Sequence, residues 1–453
     1  MTTIPLVTQP LQDLSVAENA VNYSINLFQH FDDPFTTGQI ARFELRDSSL
    51  EGGVTNVLLF DQQGAGAPAT VANFINYAKD NDYVNSIIHR SVPGFIVQGG
   101  GFIVENLTVT PVATDEPVVN EFSPERSNTR GMIAMAKLGG DPDSATSQWF
   151  FNLNDNSENL DNQNGGFTVF GEVLTDADLA VVDAIADLPI INATNVNSAF
   201  SSLPVIVDNP NNPFVQSDAN LVRYRDISVF QVDELEFKVV GNSNSDLVDA
   251  FVDDGELFID YAKGQSGTAE IIIEATDLLG DSVQDTFTLT VEDDGIEPQG
   301  DRQDATVYRF LNQDTGVHLY TSSKLERDTI LETLPNYDFE SFAYVSVDPL
   351  SGNPEPEKVY RFFNQDTGTH LYTTSETEKE SVEANLSNYT LESESFFAYG
   401  ELQPGTIPVY RFYNNDTGAH FYTPSETEKN AVLETLPNYI SEGIAYYAFP
   451  VED

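Results

Sequence analysis

The sequence predicts a mostly β chain of several domains. Three observations carry that reading: the length, strand-like alternation broken by turn residues, and a segment that recurs three times near the end. The chain has 453 residues, too many for one hydrophobic core when domains run to about 100–200 residues each. Its 29 glycines and 23 prolines, with many Asn and Asp between short apolar runs, mark frequent turns. At 40% hydrophobic and 11% aromatic it has the material for packed cores, and about three units are expected.

Charge narrows the function classes. With 72 acidic against 20 basic residues, the formal net charge is -52. Nucleic-acid binding needs clustered Lys and Arg to neutralise phosphates, so no nucleic-acid partner is expected. Solubility, or a salty or calcium-rich surrounding that screens self-repulsion, accounts for such a balance. Zero cysteines exclude disulfides, thiolate metal sites and cysteine nucleophiles. Residues 1–11 lack a basic segment followed by an apolar run, so no signal peptide is visible. No stretch is long enough to span a membrane. We expect work outside the cell or at its surface, with the cytoplasm as the alternative.

The last third repeats itself. VYRFLNQDTGVHLYT begins at Val307, VYRFFNQDTGTHLYT at Val359 and VYRFYNNDTGAHFYT at Val409. Each copy predicts an aromatic strand, a turn at Asp-Thr-Gly and a second strand. Ser323, Ser375 and Ser425 precede Glu326, Glu378 and Glu428 by capping-box spacing, so a short helix follows. A closing aromatic strand would complete a ββαβ unit, and three units (307–358, 359–408, 409–453) would close around a pseudo-threefold axis. His318, His370 and His420 share one position of the repeat. Three imidazoles can ring a metal, but packing within each repeat is the preferred reading, and no metal is assigned. The repeat resembles one of unknown function in secreted bacterial proteins, and its aromatic and Asn/Asp groups would suit a glycan or cell-wall partner, but the same residues also serve as turns and core, and the structural reading is preferred.

Residues 226–295 read as an all-β module. Leu235, Phe237 and Val239 alternate with Glu236 and Lys238, Asp254-Gly255 is a hairpin turn, and Phe287, Leu289 and Val291 alternate again. The patterning is sandwich-like, and residues 235–293 resemble the cadherin-like immunoglobulin-fold modules of bacterial surface proteins. Those modules open with a strand much like LQDLSVAENAVNYSINLFQHFDDP, found here at 11–34. Residues 1–34 therefore either complete the sandwich across an inserted domain or form a free arm. Residues 296–306 read as a linker and 199–225 as a connecting segment. Neither Asp32-Asp33 nor Asp253-Asp254 lies in a spaced loop of oxygen ligands.

Residues 35–198 hold the chemistry. Gln39–Leu45 and 56–60 predict strands, Pro68 starts a helix with Val71, Phe74, Ile75 and Ala78 on one face, and Thr175 caps another. IIHRSVPGFIVQGGGF from Ile87, GMIAMAKLGGDPDSATSQWFFNLNDN from Gly131 and NLDNQNGGFTVFGEV from Asn159 resemble, in order and spacing, the motifs of cyclophilins, the bacterial members above all. The resemblance implies an eight-stranded antiparallel barrel with a helix at each end. It also implies peptidyl-prolyl cis-trans isomerase activity on proline-containing polypeptides, with no cofactor.

The chemistry of such a site explains its residue types. Rotation about an X-Pro bond breaks amide resonance, at a cost of about 18–20 kcal/mol. A guanidinium that donates to the prolyl nitrogen of the twisted amide, beside an apolar pocket for the ring, lowers that barrier without covalent chemistry. By motif position the resemblance makes Arg90 that donor and Gln98 its orienting partner. Phe95, Ile96, Phe150, Leu160 and Phe167 would line the pocket. Ala136 and Lys137 would bind the peptide through their backbones, and Gln148 through its side chain. His89 reads as structural, and Gly99-Gly100-Gly101 lacks the Lys and helix of a phosphate loop. Asn159 stands where many eukaryotic members carry Trp, and Trp149 where Phe is usual. The rival reading is a proline-segment binding or adhesion protein with little turnover, targeted by its C-terminal repeats.

Overall fold

The computed structural model describes residues 5–18, 20, 22–207, 209–210, 213–262, 264–293, 306–349 and 354–451. The linker read at 296–306 therefore lies outside the described residues except for Thr306. The chain forms two compact units. One comprises residues up to Pro10, Phe28–Phe237 and Glu274–Gln284, and the other Leu11–Leu27, Lys238–Ile273 and residues from Asp285 onward.

In the first unit an antiparallel eight-stranded sheet runs in the order Tyr224–Gln231, Gln39–Leu45, Val54–Leu59, Val169–Val173, Met132–Met135, Trp149–Asn152, Ile96–Gly99 and Arg90–Val92. Its two edges are joined: Ile87 bridges Arg223, Ile88 N donates to Val222 O, and Tyr224 N donates to Ser86 O. Hydrogen bonding thus continues around a barrel. Alternation along each strand sorts side chains between two faces. Phe43, Val97, Ile133, Trp149, Phe151 and Phe170 fill the interior. Ile96, Ala134, Phe150 and Val169, one residue out of phase, form a second cluster on the other face.

Two helices join the interior. Pro68–Lys79 starts on Pro68, whose missing N–H costs nothing at a helix start, and contributes Val71, Phe74 and Tyr77. Asp176–Ala186 is capped by Thr175, whose hydroxyl accepts from Asp178 N at 3.1 Å, and contributes Val181, Val182 and Ile185. The barrel takes a strand from Tyr224–Gln231, beyond the 35–198 boundary read from the sequence. That strand pairs with Gln39–Leu45 over its whole length, a long-range choice that local patterning does not encode.

In the second unit Leu14–Ala17 pairs parallel with the Ser282–Glu292 strand, Leu14 facing Leu289. Tyr23–Asn26 pairs antiparallel with Glu256–Tyr261. The hairpin Val248–Asp253 to Glu256–Tyr261 turns through Asp254 and Gly255, both at positive φ. C-terminal to it stand three three-stranded sheets, each centred on the first strand of a repeat: Thr306–Asn312, Glu357–Asn364 and Ile407–Asn414. Each carries one helix, Lys324–Thr333, Glu376–Asn385 or Glu426–Thr435.

Tyr320, Tyr372 and Tyr422 meet in one shared core. Their hydroxyls donate cyclically, Tyr320 to Tyr422 O at 2.6 Å, Tyr372 to Tyr320 O at 2.8 Å and Tyr422 to Tyr372 O at 2.8 Å. Each of the three histidines faces a glutamate of its own repeat, Glu340, Glu392 or Glu442. No group of three metal-ligating side chains occurs among the described residues. Each helix is capped by its serine, but the glutamate of the expected capping box reaches an arginine of a neighbouring repeat instead.

Candidate active site

Register places the site. Arg90 lies opposite Gln98, Gln98 opposite Phe150, and Phe150 opposite Ala134, so four strands present one cross-strand row on the outer face of the barrel. Arg90 Nη1 donates to Gln98 Oε1 at 3.3 Å, and Gln98 Nε2 donates to Gln148 Oε1 at 3.0 Å. This relay fixes all three carboxamide and guanidinium planes. Among the described residues no carboxylate lies within ion-pair reach of Arg90, and burial pulls its pKa below the ordinary guanidinium value. Arginine stays protonated regardless. One of its five N–H donors is engaged by Gln98, and the rest can serve a ligand.

Apolar residues gather beside the row. Phe150, Leu160 and Ile96 are buried, and Phe95, Phe167 and Ala136 pack against them half-exposed. Phe150 and Phe167 meet edge to face at 5.8 Å. Lys137 Nζ donates to Gly166 O at 2.5 Å and lies 5.0 Å from the Phe167 ring centroid. Burial lowers its pKa. The Ala136 N–H already donates to Gln148 O at 2.8 Å, so only its carbonyl remains to bind an extended peptide.

The sequence reading missed three asparagines that hold this wall. Asn156 Nδ2 donates to Phe95 O and to Asn152 Oδ1, both at 2.8 Å, and Asn128 Nδ2 donates to Phe167 O at 2.9 Å. Asn152 Nδ2 completes the set toward Asn128 Oδ1 at 3.3 Å. All three are buried. Asn152 ends the otherwise apolar run Trp149–Asn152, and a polar residue there is the signal that could have found them.

Glycines let the row form. A Cβ on Gly99 would sit 2.7 Å from Trp149, and on Gly100, at φ +73°, it would sit 2.5 Å from Ser147 O. The Gly triplet thus makes room for the indole of Trp149 and for the neighbouring strand, which explains it without any phosphate. His89 is buried edge to face against Phe102 at 5.1 Å, and burial, with Arg90 beside it, lowers its pKa to about 4. It is neutral at pH 7 and outside the row. Asn159 is exposed and accepts from Gln163 Nε2 at 2.6 Å.

Comparison with known proteins agrees with this geometry. Residues 47–205 match the model of the family described as cyclophilin type peptidyl-prolyl cis-trans isomerase/CLD, and residues 299–449 match a domain of unknown function (DUF5648). A peptidyl-prolyl cis-trans isomerase of Acinetobacter baylyi is 44% identical over 124 residues, covering 27% of this chain and 63% of that protein. Peptidyl-prolyl cis-trans isomerase B of Escherichia coli is 43% identical over 125 residues, 26% of this chain and 71% of that protein. Peptidyl-prolyl cis-trans isomerase A of Dickeya dadantii is 40% identical over 134 residues, 29% and 66% respectively. With the Arg90–Gln98–Phe150 row seated in such a barrel, the chain belongs to the cyclophilin-type peptidyl-prolyl cis-trans isomerase family.

Proposed function

We propose that this chain catalyses cis-trans isomerisation of X-Pro bonds in polypeptides, at the outer face of the barrel. The observation that carries the reading is the cross-strand row, in which a guanidinium with no carboxylate partner among the described residues stands next to an apolar recess. The proline ring sits against Phe95, Phe150, Leu160 and Phe167. As the amide twists, its nitrogen regains a lone pair, and Arg90 donates to it. Gln98 holds Arg90 in register, and Gln148, itself held by Gln98, keeps its own amide N–H free for a substrate carbonyl. The donation from Arg90 strengthens in the twisted state, where the nitrogen lone pair is free, and that is what lowers the barrier.

A protease-coupled prolyl-peptide assay tests this. Wild type should accelerate isomerisation, and Arg90→Ala should lose about 10²–10³-fold in kcat/KM with an unchanged melting temperature. Arg90→Lys should recover little, because a point charge does not reproduce the fork of donors. Near wild-type turnover in Arg90→Ala overturns the assignment, and absence of turnover in wild type returns the chain to the proline-binding reading.

We further propose that the strands Leu14–Ala17 and Tyr23–Asn26 join those of residues 235–292 in one cadherin-like module, into whose sequence the barrel is inserted. The pairings of Leu14–Ala17 and Tyr23–Asn26 with strands more than 200 residues later support it. For the C-terminal repeats we propose glycan or cell-wall binding, supported by half-exposed Phe363 and Tyr413 against His370 and His420. A screen of the full chain against polysaccharides, with Tyr413→Ala as control, tests that reading.

A further inference from the structure

A partly open cavity of about 330 Å³ lies in the first unit and shares no lining residue with the Arg90 row. Its floor is Ile87, Val104, Phe200, Leu203 and Leu221, all buried in one cluster. Leu107 and Val196 form its lip and are 48% and 61% exposed. Among the described lining residues none is ionisable.

The lip is held by design of the backbone. Asn106 and Leu107 both adopt left-handed φ, 51° and 60°, a conformation that costs a β-carbon residue about 1 kcal/mol or more. Asp218 keeps them there, its two carboxylate oxygens accepting from Asn106 N at 2.8 Å and Leu107 N at 2.7 Å. Arg223 in turn holds Asp218 at 3.2 Å. An ion pair thus holds the backbone that carries Leu107 at the mouth of an apolar cavity.

The mouth also carries polar groups with unused capacity. Asn192 Oδ1 accepts from Thr194 N at 3.1 Å and Thr194 Oγ1 at 2.7 Å, which leaves its amide N–H groups for a ligand. Asn195 is exposed beside it. At the share of volume an atom the size of water takes in a liquid, the cavity has room for about ten non-hydrogen atoms.

We propose that this cavity is a binding site for a compact neutral small molecule, an apolar ring bearing one carbonyl acceptor that meets the Asn192 and Asn195 amides. A charged ligand would enter without a counter-charge in the lining and would pay its full desolvation. The ring replaces water over Phe200, Leu203 and Ile87, which is the favourable term.

Because the chain has no cysteine, Val196→Cys places a single thiol on the lip without touching the floor. Benzamide and cyclohexanecarboxamide are the probes. Either should slow thiol modification at least threefold at saturation, with a concentration dependence that plateaus. Adding Ala193→Phe, or Val109→Trp if the first variant melts early, should abolish the protection. No protection by either amide in the folded Val196→Cys protein, or protection that survives a cavity-filling variant of unchanged melting temperature, overturns the proposal.

Discussion

Arg361 grips Glu326 of the preceding repeat with two parallel hydrogen bonds, Nη1 to Oε2 and Nη2 to Oε1, both 2.9 Å. Arg411 holds Glu378 in the same way, and Arg309 meets both oxygens of Glu428 through Nη1 alone, so each repeat holds the next and the third holds the first. Two-pronged pairs of this kind, half-buried, are worth more than surface ion pairs.

Glu326→Gln should therefore destabilise the repeat domain by about 1–3 kcal/mol, read by denaturant unfolding of the full chain. Burial alone would raise the Glu326 pKa, but Arg361 holds it below the ordinary value. The stability it contributes is present above the unfolded-state pKa and is lost as pH falls through the folded one. Equal acid sensitivity of Glu326→Gln and wild type in this transition would count against the ring as its cause.

A second expectation concerns the first repeat. Arg327 is buried, lies 4.1 Å above the Phe251 ring, and its Nη1 meets Asp249 Oδ2 at 2.5 Å. Tyr308 donates to Asp260 at 2.9 Å, where Tyr360 and Tyr410 of the other repeats use their own Glu376 and Glu426. Arg327→Ala leaves Asp249 poorly paired and should cost about 3 kcal/mol. Residues 307–453 expressed alone should melt below the same domain in the full chain, since Phe339 and Phe342 lose Phe251 and Phe258. Identical melting would show that the contact adds no stability.

Stability of the barrel unit should fall as pH rises from about 4 to 7. Burial lifts Asp33 to about 7 against the lowering effect of the hydrogen bond from Phe35 N, with Asp277 adding to the rise, and burial lifts Glu172 to about 7 as well. For acids with raised folded pKa values, the penalty appears as pH passes the unfolded pKa and is complete above the folded one. Asp33→Asn, which can still accept from Phe35 N, should gain on the order of 1–2 kcal/mol at pH 8 and little at pH 4. A gain independent of pH would rule out ionisation as its source.

Gly100→Ala should disturb the row from behind. The added carbon meets Ser147 O at 2.5 Å and Trp149 Nε1 at 2.7 Å on a backbone at positive φ. A loss of about 2–3 kcal/mol is expected. Trp149 is the one tryptophan in the chain, so its fluorescence reports the change directly.

Legibility followed range. Arg90, Gln98, Phe150 and the helix starts at Pro68 and Thr175 depend on local sequence, and in the structure both helices begin there and the three side chains share one cross-strand row. The strand Tyr224–Gln231 falls across the sequence boundary between the connecting segment, 199–225, and the following module, because a half-buried strand looks alike whichever sheet it joins. Asn128, Asn152 and Asn156 were passed over because asparagine reads as a turn residue until its burial is known. Glu326 was read as a cap partner because spacing alone cannot show an arginine 35 positions later.

The parallel pairing of Leu14 with Leu289 has a consequence in time. Asp13 accepts from Thr288 N, 275 positions on, so at about 5–20 residues per second a ribosome needs roughly 15–55 s to deliver the partner. The barrel, whose last strand ends at Gln231, is complete well before that. The remaining chain then emerges with its own prolines, Pro335, Pro424 and Pro437 among them. Uncatalysed prolyl isomerisation takes about 10–100 s, the same span. With the activity proposed above, the unfinished rest of the chain is itself a proline-containing polypeptide tethered to the barrel during that interval.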